Sequence, residues 1–80
     1  MQEAKQIIGL REMQVGQKGR IVSVNIDGDL GRRMRDMGLI PGTDIEVIGQ
    51  APLRDPVALR LLGITLALRN SEADYISVEV

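Results

Sequence analysis

Val57-Ala58-Leu59-Arg60-Leu61-Leu62-Gly63-Ile64-Thr65-Leu66-Ala67-Leu68 holds two runs in which apolar residues return at every second position, parted by a glycine. Successive side chains of a strand point to opposite faces, so Val57, Leu59 and Leu61 share one face, as do Ile64, Leu66 and Leu68. Arg60 and Thr65 fall on the other side. Gly63 alone separates the two runs, which predicts a tight turn near residues 62–64. The nearly apolar stretch Leu61 to Leu68 is closed by Arg60 and Arg69, far short of the roughly 20 residues a membrane helix needs.

The same period appears on either side. Val22, Val24 and Ile26 alternate with Ser23 and Asn25; Ile45 and Val47 flank Glu46; Ile76, Val78 and Val80 straddle Ser77 and Glu79. Five strands result, each with one apolar face, and a sheet of that size buries those faces most economically by curling on itself. The reading is a small all-β domain, an SH3-like five-stranded barrel. One segment departs from it. Between Asp29 and Met37 the apolar residues Leu30, Met34 and Met37 are spaced four and three apart, with Arg32, Arg33, Arg35 and Asp36 among them, which is helical amphipathicity. A short helix is therefore inserted between strands one and two. Asp27 or Asp29 suits its N-cap, Gly38 the left-handed residue that ends it, and Pro41-Gly42 the centre of a type II turn.

Leu53-Arg54-Asp55, held between Pro52 and Pro56, predicts a stiff polar loop between strands two and three. Asn70 to Asp74 predicts one helical turn before the last strand. Residues 1–9 read as a loosely held arm, and Leu10, Met13 and Val15 as a plug for the open end of the barrel.

Eighty residues suffice for one domain with one core. The chain has no Cys and no His, which removes disulfides, zinc fingers, thiol nucleophiles and His-based general bases. Catalytic residues, metal ligands and cofactors are accordingly expected to be none. Net charge is -1, with +2 on residues 1–40 and -3 on residues 41–80, no field to attract a polyanion. Tyr75 is the only aromatic residue, too little for base stacking or for a polyproline groove, so nucleic acid is not an expected partner. Before Gly9 there is no sustained apolar stretch, and the expected location is cytoplasmic. Gly16-Gln17-Lys18-Gly19 resembles a phosphate clamp only in spacing, because a strand and not a long helix follows it. Asp27, Asp29 and Asp36 fit helix capping and pairing with arginine better than an oxygen-ligand metal site.

Four segments together resemble one family. They are Leu10-x-x-Met13-x-x-Gly16-x-x-Gly19-x-Ile21; Arg32 through Thr43, which includes Met37-Gly38-Leu39-Ile40-Pro41-Gly42; Pro52 through Val57; and Leu66-Ala67-Leu68-Arg69-x-x-Glu72-Ala73. In this order and spacing they are similar to the FeoA family, small partners of the bacterial ferrous iron transporter FeoB. The resemblance implies an SH3-like barrel without catalytic activity that binds the cytoplasmic part of a FeoB-like GTP-binding membrane protein, reaching the membrane only through that partner. It also implies kinship of fold with the C-terminal domain of iron-dependent repressors, which keeps open a regulatory module acting on another cytosolic protein. The expected working surface is the inserted helix and its exit. Arg32, Arg33 and Arg35 supply charge there, Met37 an adaptable thioether, and Leu39 and Leu53 exposed apolar contact. Edge strands and an apolar pocket are compatible with a homo-oligomer.

Overall fold

Antiparallel pairing joins the strands into one sheet in the computed structural model, which describes residues 5–53 and 55–80. In chain order the elements are β1 (Ile7–Gly9), a 3-10 turn (Leu10–Glu12), β2 (Lys18–Val24), α1 (Gly28–Asp36), β3 (Asp44–Gln50), β4 (Val57–Leu61), β5 (Ile64–Leu68), α2 (Asn70–Ala73) and β6 (Ile76–Glu79). The spatial order is β1-β6-β2-β3-β4-β5, so β1 and β5 are the edges of an open, strongly bent sheet.

The sheet has six strands, the five read from the alternation and β1. The expected arm is therefore tied down at residues 7–9: Ile7 pairs with Glu79 and Gly9 with Ser77, and beyond them Val80 N–H donates to Gln6 O at 2.8 Å. Residues 1–4 of that arm lie outside the described residues. Strand pairing depends on a partner distant in sequence, which is why a three-residue strand leaves almost no local signal.

Two bulges bend the sheet around its core. In β2, Ile21 pairs with Val78 and Ser23 with Ser77, leaving Val22 as the extra residue; in β3, Ile48 is the extra residue between Val47 and Gly49. An inserted residue reverses the alternation beyond it and increases local twist. The expected apolar face Val22, Val24, Ile26 is corrected accordingly. Ile21 is buried, Val22 is exposed, Val24 is half-buried, and Ile26 lies past the strand end.

The core is aliphatic. Ile21, Ile45, Val47, Val57, Leu59, Leu61, Leu68, Ile76 and Val78 come from strands, with Met34 from α1 and Leu10 and Met13 closing one end. Each fully buried side chain of this size contributes about 1.5–3 kcal/mol relative to exposure. The expected plug loses one member: Val15 is exposed, because the chain turns outward at Gly16, whose φ is 91° and whose N–H donates to Val47 O at 2.7 Å.

The chain entering the helix lies tight against the helix's first turn. A Cβ at Gly31 would stand 2.3 Å from Ile26 O and 2.9 Å from its carbonyl carbon, inside any real contact. Gly31→Ala is expected to lower stability by about 1–3 kcal/mol, seen as a lower urea midpoint at unchanged slope, although Ala favours a helix over Gly by about 1 kcal/mol. Equal or greater stability would show that Gly31 is not packed against the Ile26 carbonyl.

Candidate functional site

Seating α1 on its inner side decides what faces out. Met34 is fully buried, Leu30 and Met37 are half-buried, and Arg32, Arg33 and Arg35 are exposed. Arg35 Nη1 donates to Ile26 O at 3.4 Å, and none of the three guanidinium groups forms an ion pair among the described residues. Asp29 and Asp36 are exposed on the same helix, so the three cations and two carboxylates leave one net positive charge. Arg33 and Arg35 lie in the last turn, where cations complement the helix dipole. Asp27 occupies the N-cap position in extended conformation without a side-chain capping bond.

The helix ends in a Schellman motif. Gly38 has φ 98°, its N–H donates to Arg35 O at 3.0 Å, and Leu39 N–H donates to Met34 O at 3.1 Å. Such an ending brings the residue after the glycine back over the last turn, and Leu39 accordingly joins Met34 in the core at 0% exposure. The expectation of an exposed Leu39 is thereby corrected. Thr43 Oγ1 donates to Gly38 O at 3.0 Å, and Gly42 (φ 95°) completes the turn closed by Thr43 N–H on Ile40 O at 3.2 Å.

Leu53 stands apart from this group. It is 88% exposed, but in the loop between β3 and β4, where Asp55 Oδ1 accepts from Asn70 N–H at 3.0 Å. The full length of β4, about 13 Å at strand rise, lies between that loop and the turn that touches the helix exit. That turn carries a residue the alternation did not single out. Leu62 (φ 51°) and Gly63 (φ 77°) form a two-residue loop with both residues at positive φ. Leu62 Cδ1 lies 2.6 Å from where a Gly38 Cβ would stand, yet the side chain is 72% exposed. With exposed Ile40 it gives the helix exit an apolar rim beside the arginines. Two consecutive leucines before Gly63 carried the signal, since only one of them can follow the strand's inward phase.

A second surface feature is an open groove of about 610 Å³ over β6, β2, β3 and β4. Its floor alternates in sign: Lys5 pairs with Glu79 at 3.6 Å, Arg20 Nε with Asp44 Oδ1 at 3.0 Å, and Glu46 lies in register between Lys18 and Arg60. Exposed pairs of this kind contribute about 0–1 kcal/mol each, and their alternation leaves no field of one sign. Among the described residues no three His, Cys, Asp or Glu side chains group to hold a metal ion, and no helix is long and apolar enough to cross a membrane.

Comparison with known proteins puts this geometry in a family. Residues 8–80 match the FeoA domain. The chain belongs to the FeoA family. A Porphyromonas gingivalis protein described as an Fe(2+) transport protein A/Fe(2+) transporter FeoB fusion is 38% identical over 71 residues, covering 89% of this FeoA chain but 8% of the fusion. The solution structure of a FeoA-like protein from Clostridium acetobutylicum is 43% identical with a TM-score of 0.83, covering 92% of this chain and 86% of that one. A FeoA from Stenotrophomonas maltophilia, crystallised with zinc and described as an SH3 domain protein, shares the fold with a TM-score of 0.76 at 24% identity, covering 89% and 88% of the two chains.

Leu39 and Leu53 provide a direct check of the placement. Leu39→Ala is expected to cost about 2–5 kcal/mol in chemical denaturation, and Leu53→Ala no more than about 0.5 kcal/mol. Similar costs for the two would contradict it.

Proposed function

We propose that this FeoA domain is a non-enzymatic accessory to ferrous iron uptake that binds the cytoplasmic part of a FeoB-type GTP-binding membrane transporter. The observation that carries the reading is the Porphyromonas gingivalis fusion, in which a similar segment and a FeoB transporter share one polypeptide. A covalent link holds two modules at an effective concentration in the millimolar range, which is useful only where the modules work on one another. The residue chemistry supports action by contact. The chain offers neither thiolate nor imidazole, the usual nucleophile and general base at neutral pH.

The surface around α1 suits docking. Arg32, Arg33 and Arg35 are exposed without carboxylate partners among the described residues, and half-buried Met37 with exposed Leu62 and Ile40 supplies apolar area next to them. Arginine at an interface forms forked hydrogen bonds with carboxylates, and a cationic rim chiefly speeds and orients encounter. Leu53 sits at the other end of β4 and enters this reading only for a partner broad enough to span both ends of the strand.

The test is association with the purified cytoplasmic part of the cognate transporter, followed by biosensor over a salt series. The variant carrying Arg32→Ala, Arg33→Ala and Arg35→Ala together is expected to associate about tenfold more slowly at low salt, with a flatter salt dependence and a similar dissociation rate. Unchanged association by a variant whose thermal unfolding matches the parent would remove α1 from the docking surface. No association by the parent chain at any salt would remove the partner.

A further inference from the structure

The two edges of the sheet are treated differently by the sequence. β1 is three residues long, it is flanked by Lys5, and its Gly9 N–H is taken by Glu12 Oε2 at 2.7 Å. Short length, nearby charge and a side-chain plug are the usual protections of an edge. β5 has a flanking charge as well, Arg69 directly after Leu68, but it is longer, and no side chain caps its backbone groups among the described residues. Its five residues, Ile64-Thr65-Leu66-Ala67-Leu68, include no charge, proline or bulge, and they pair only with β4 among the described residues.

The hairpin fixes which backbone groups of β5 point outward. A two-residue loop closes on a doubly hydrogen-bonded pair, here Leu61 and Ile64. Leu59 with Leu66 and Val57 with Leu68 then bond in turn, while Ala58 with Ala67 and Arg60 with Thr65 are the non-bonded pairs. An independent contact agrees with this parity: Ala51 N–H donates to Pro56 O at 3.1 Å, so the even-numbered residues of the β4 side bond toward β3. Thr65 and Ala67 therefore direct both N–H and both C=O groups away from the sheet. Their side chains are exposed and small.

We propose that β5 pairs antiparallel with β5 of a second copy of this chain, about a two-fold axis through Leu66. In that register Thr65 faces Ala67 of the second copy and Ala67 faces its Thr65, so all four outward backbone groups on each edge are satisfied. A second copy is favoured over an unlike strand because the edge is complementary to itself. Leu66 meets Leu66 at the non-bonded, closely spaced position, and half-exposed Ile64 meets the Leu68 position. Arg69 comes opposite Gly63, beside which no atom stands within 4 Å of a built Cβ, so no like charges are opposed. The contact is isologous and closes at two chains. Five residues a side keep the buried area below about 1,200 Å², so a weak, concentration-dependent dimer is expected.

The experiment is sedimentation equilibrium of the full chain up to about 1 mM, with amide hydrogen exchange at low and high concentration. The expected result is a monomer–dimer equilibrium in that range, with the Thr65 and Ala67 amides protected only at the higher concentration. Ala67→Pro removes an outward donor while leaving the β4 ladder bonds in place, and Thr65→Glu adds a carboxylate opposite Arg60 of its own sheet but close to its copy across the axis. Each is expected to raise the dimer dissociation constant at least about tenfold with the monomer still folded. A monomer throughout the range overturns the proposal. So does a dimer whose Thr65 and Ala67 amides exchange freely, or one that persists in the Thr65→Glu variant, or an edge that captures an extended peptide of another chain while the protein alone stays monomeric.

Discussion

The carbonyl of Ile26 occupies the space that a side chain at position 31 would need, so the segment between β2 and α1 can fold back on the helix's first turn only with glycine there. Much of the surface follows from this contact. With the helix entry held there, Met34 is turned into the core, Arg32 and Arg33 face solvent, and exposed Arg35 reaches back to the Ile26 carbonyl. The helix then ends one turn later on Gly38, and the Schellman reversal carries Leu39 inward over Met34. From there the chain rejoins the sheet: Gly42 N–H donates to Ile21 O at 2.8 Å and Ile21 N–H to Thr43 O at 2.9 Å. The insertion thus leaves the sheet after β2 and returns beside it within the reach of one residue, Ile21.

An aliphatic core without disulfide or aromatic anchors leaves little margin, since burial and chain entropy nearly cancel at this size. The two bulges serve that economy. By bending β2 and β3 they bring Leu10, Met13, Met34 and Leu68 onto the same side as the central strands, so a sheet that hydrogen bonds do not close is closed by side chains. The consequence for function is that the helix exit and the β4–β5 turn become neighbours, as the approach of Leu62 to Gly38 records.

Much of this was legible in the sequence. The 3.6-residue spacing of Leu30, Met34 and Met37 located α1 to within a residue, and Gly38, Gly42 and Gly63 all adopt the positive φ that their turns required. What escaped was set by tertiary pairing. β1 exists because β6 is there to receive it, and the phase of β2 shifts at a bulge dictated by its partner, not by its own residues. Leu39 was open to inference, because Met34 and Leu39 around Gly38 form the apolar pair of a Schellman ending. Reading Gly38 as a stop alone left Leu39 outside. Of the residues on the proposed docking face, the arginines were accessible to pattern because a narrow apolar stripe forces its neighbours outward. Leu62 required knowing where the turn sits against the helix.

The helix surface and the β5 edge adjoin but do not compete. Leu62, which touches the helix exit, lies four residues from Leu66, about 13 Å along the strand. Antiparallel pairing about Leu66 sends the two Leu62 side chains in opposite directions, so the two helix exits stand about 26 Å apart along the strands, each at an outer end of the interface. Neither α1 face is covered by such a dimer. Two equivalent docking faces on one particle would bind a partner that is itself paired with higher avidity than one face provides, at a spacing set by the strand and by no linker. The proposed transporter docking and the proposed self-pairing are therefore separable by mutation: substitutions on α1 probe the first, substitutions at Thr65 and Ala67 the second, and the turn at Leu62 lies where the two surfaces meet.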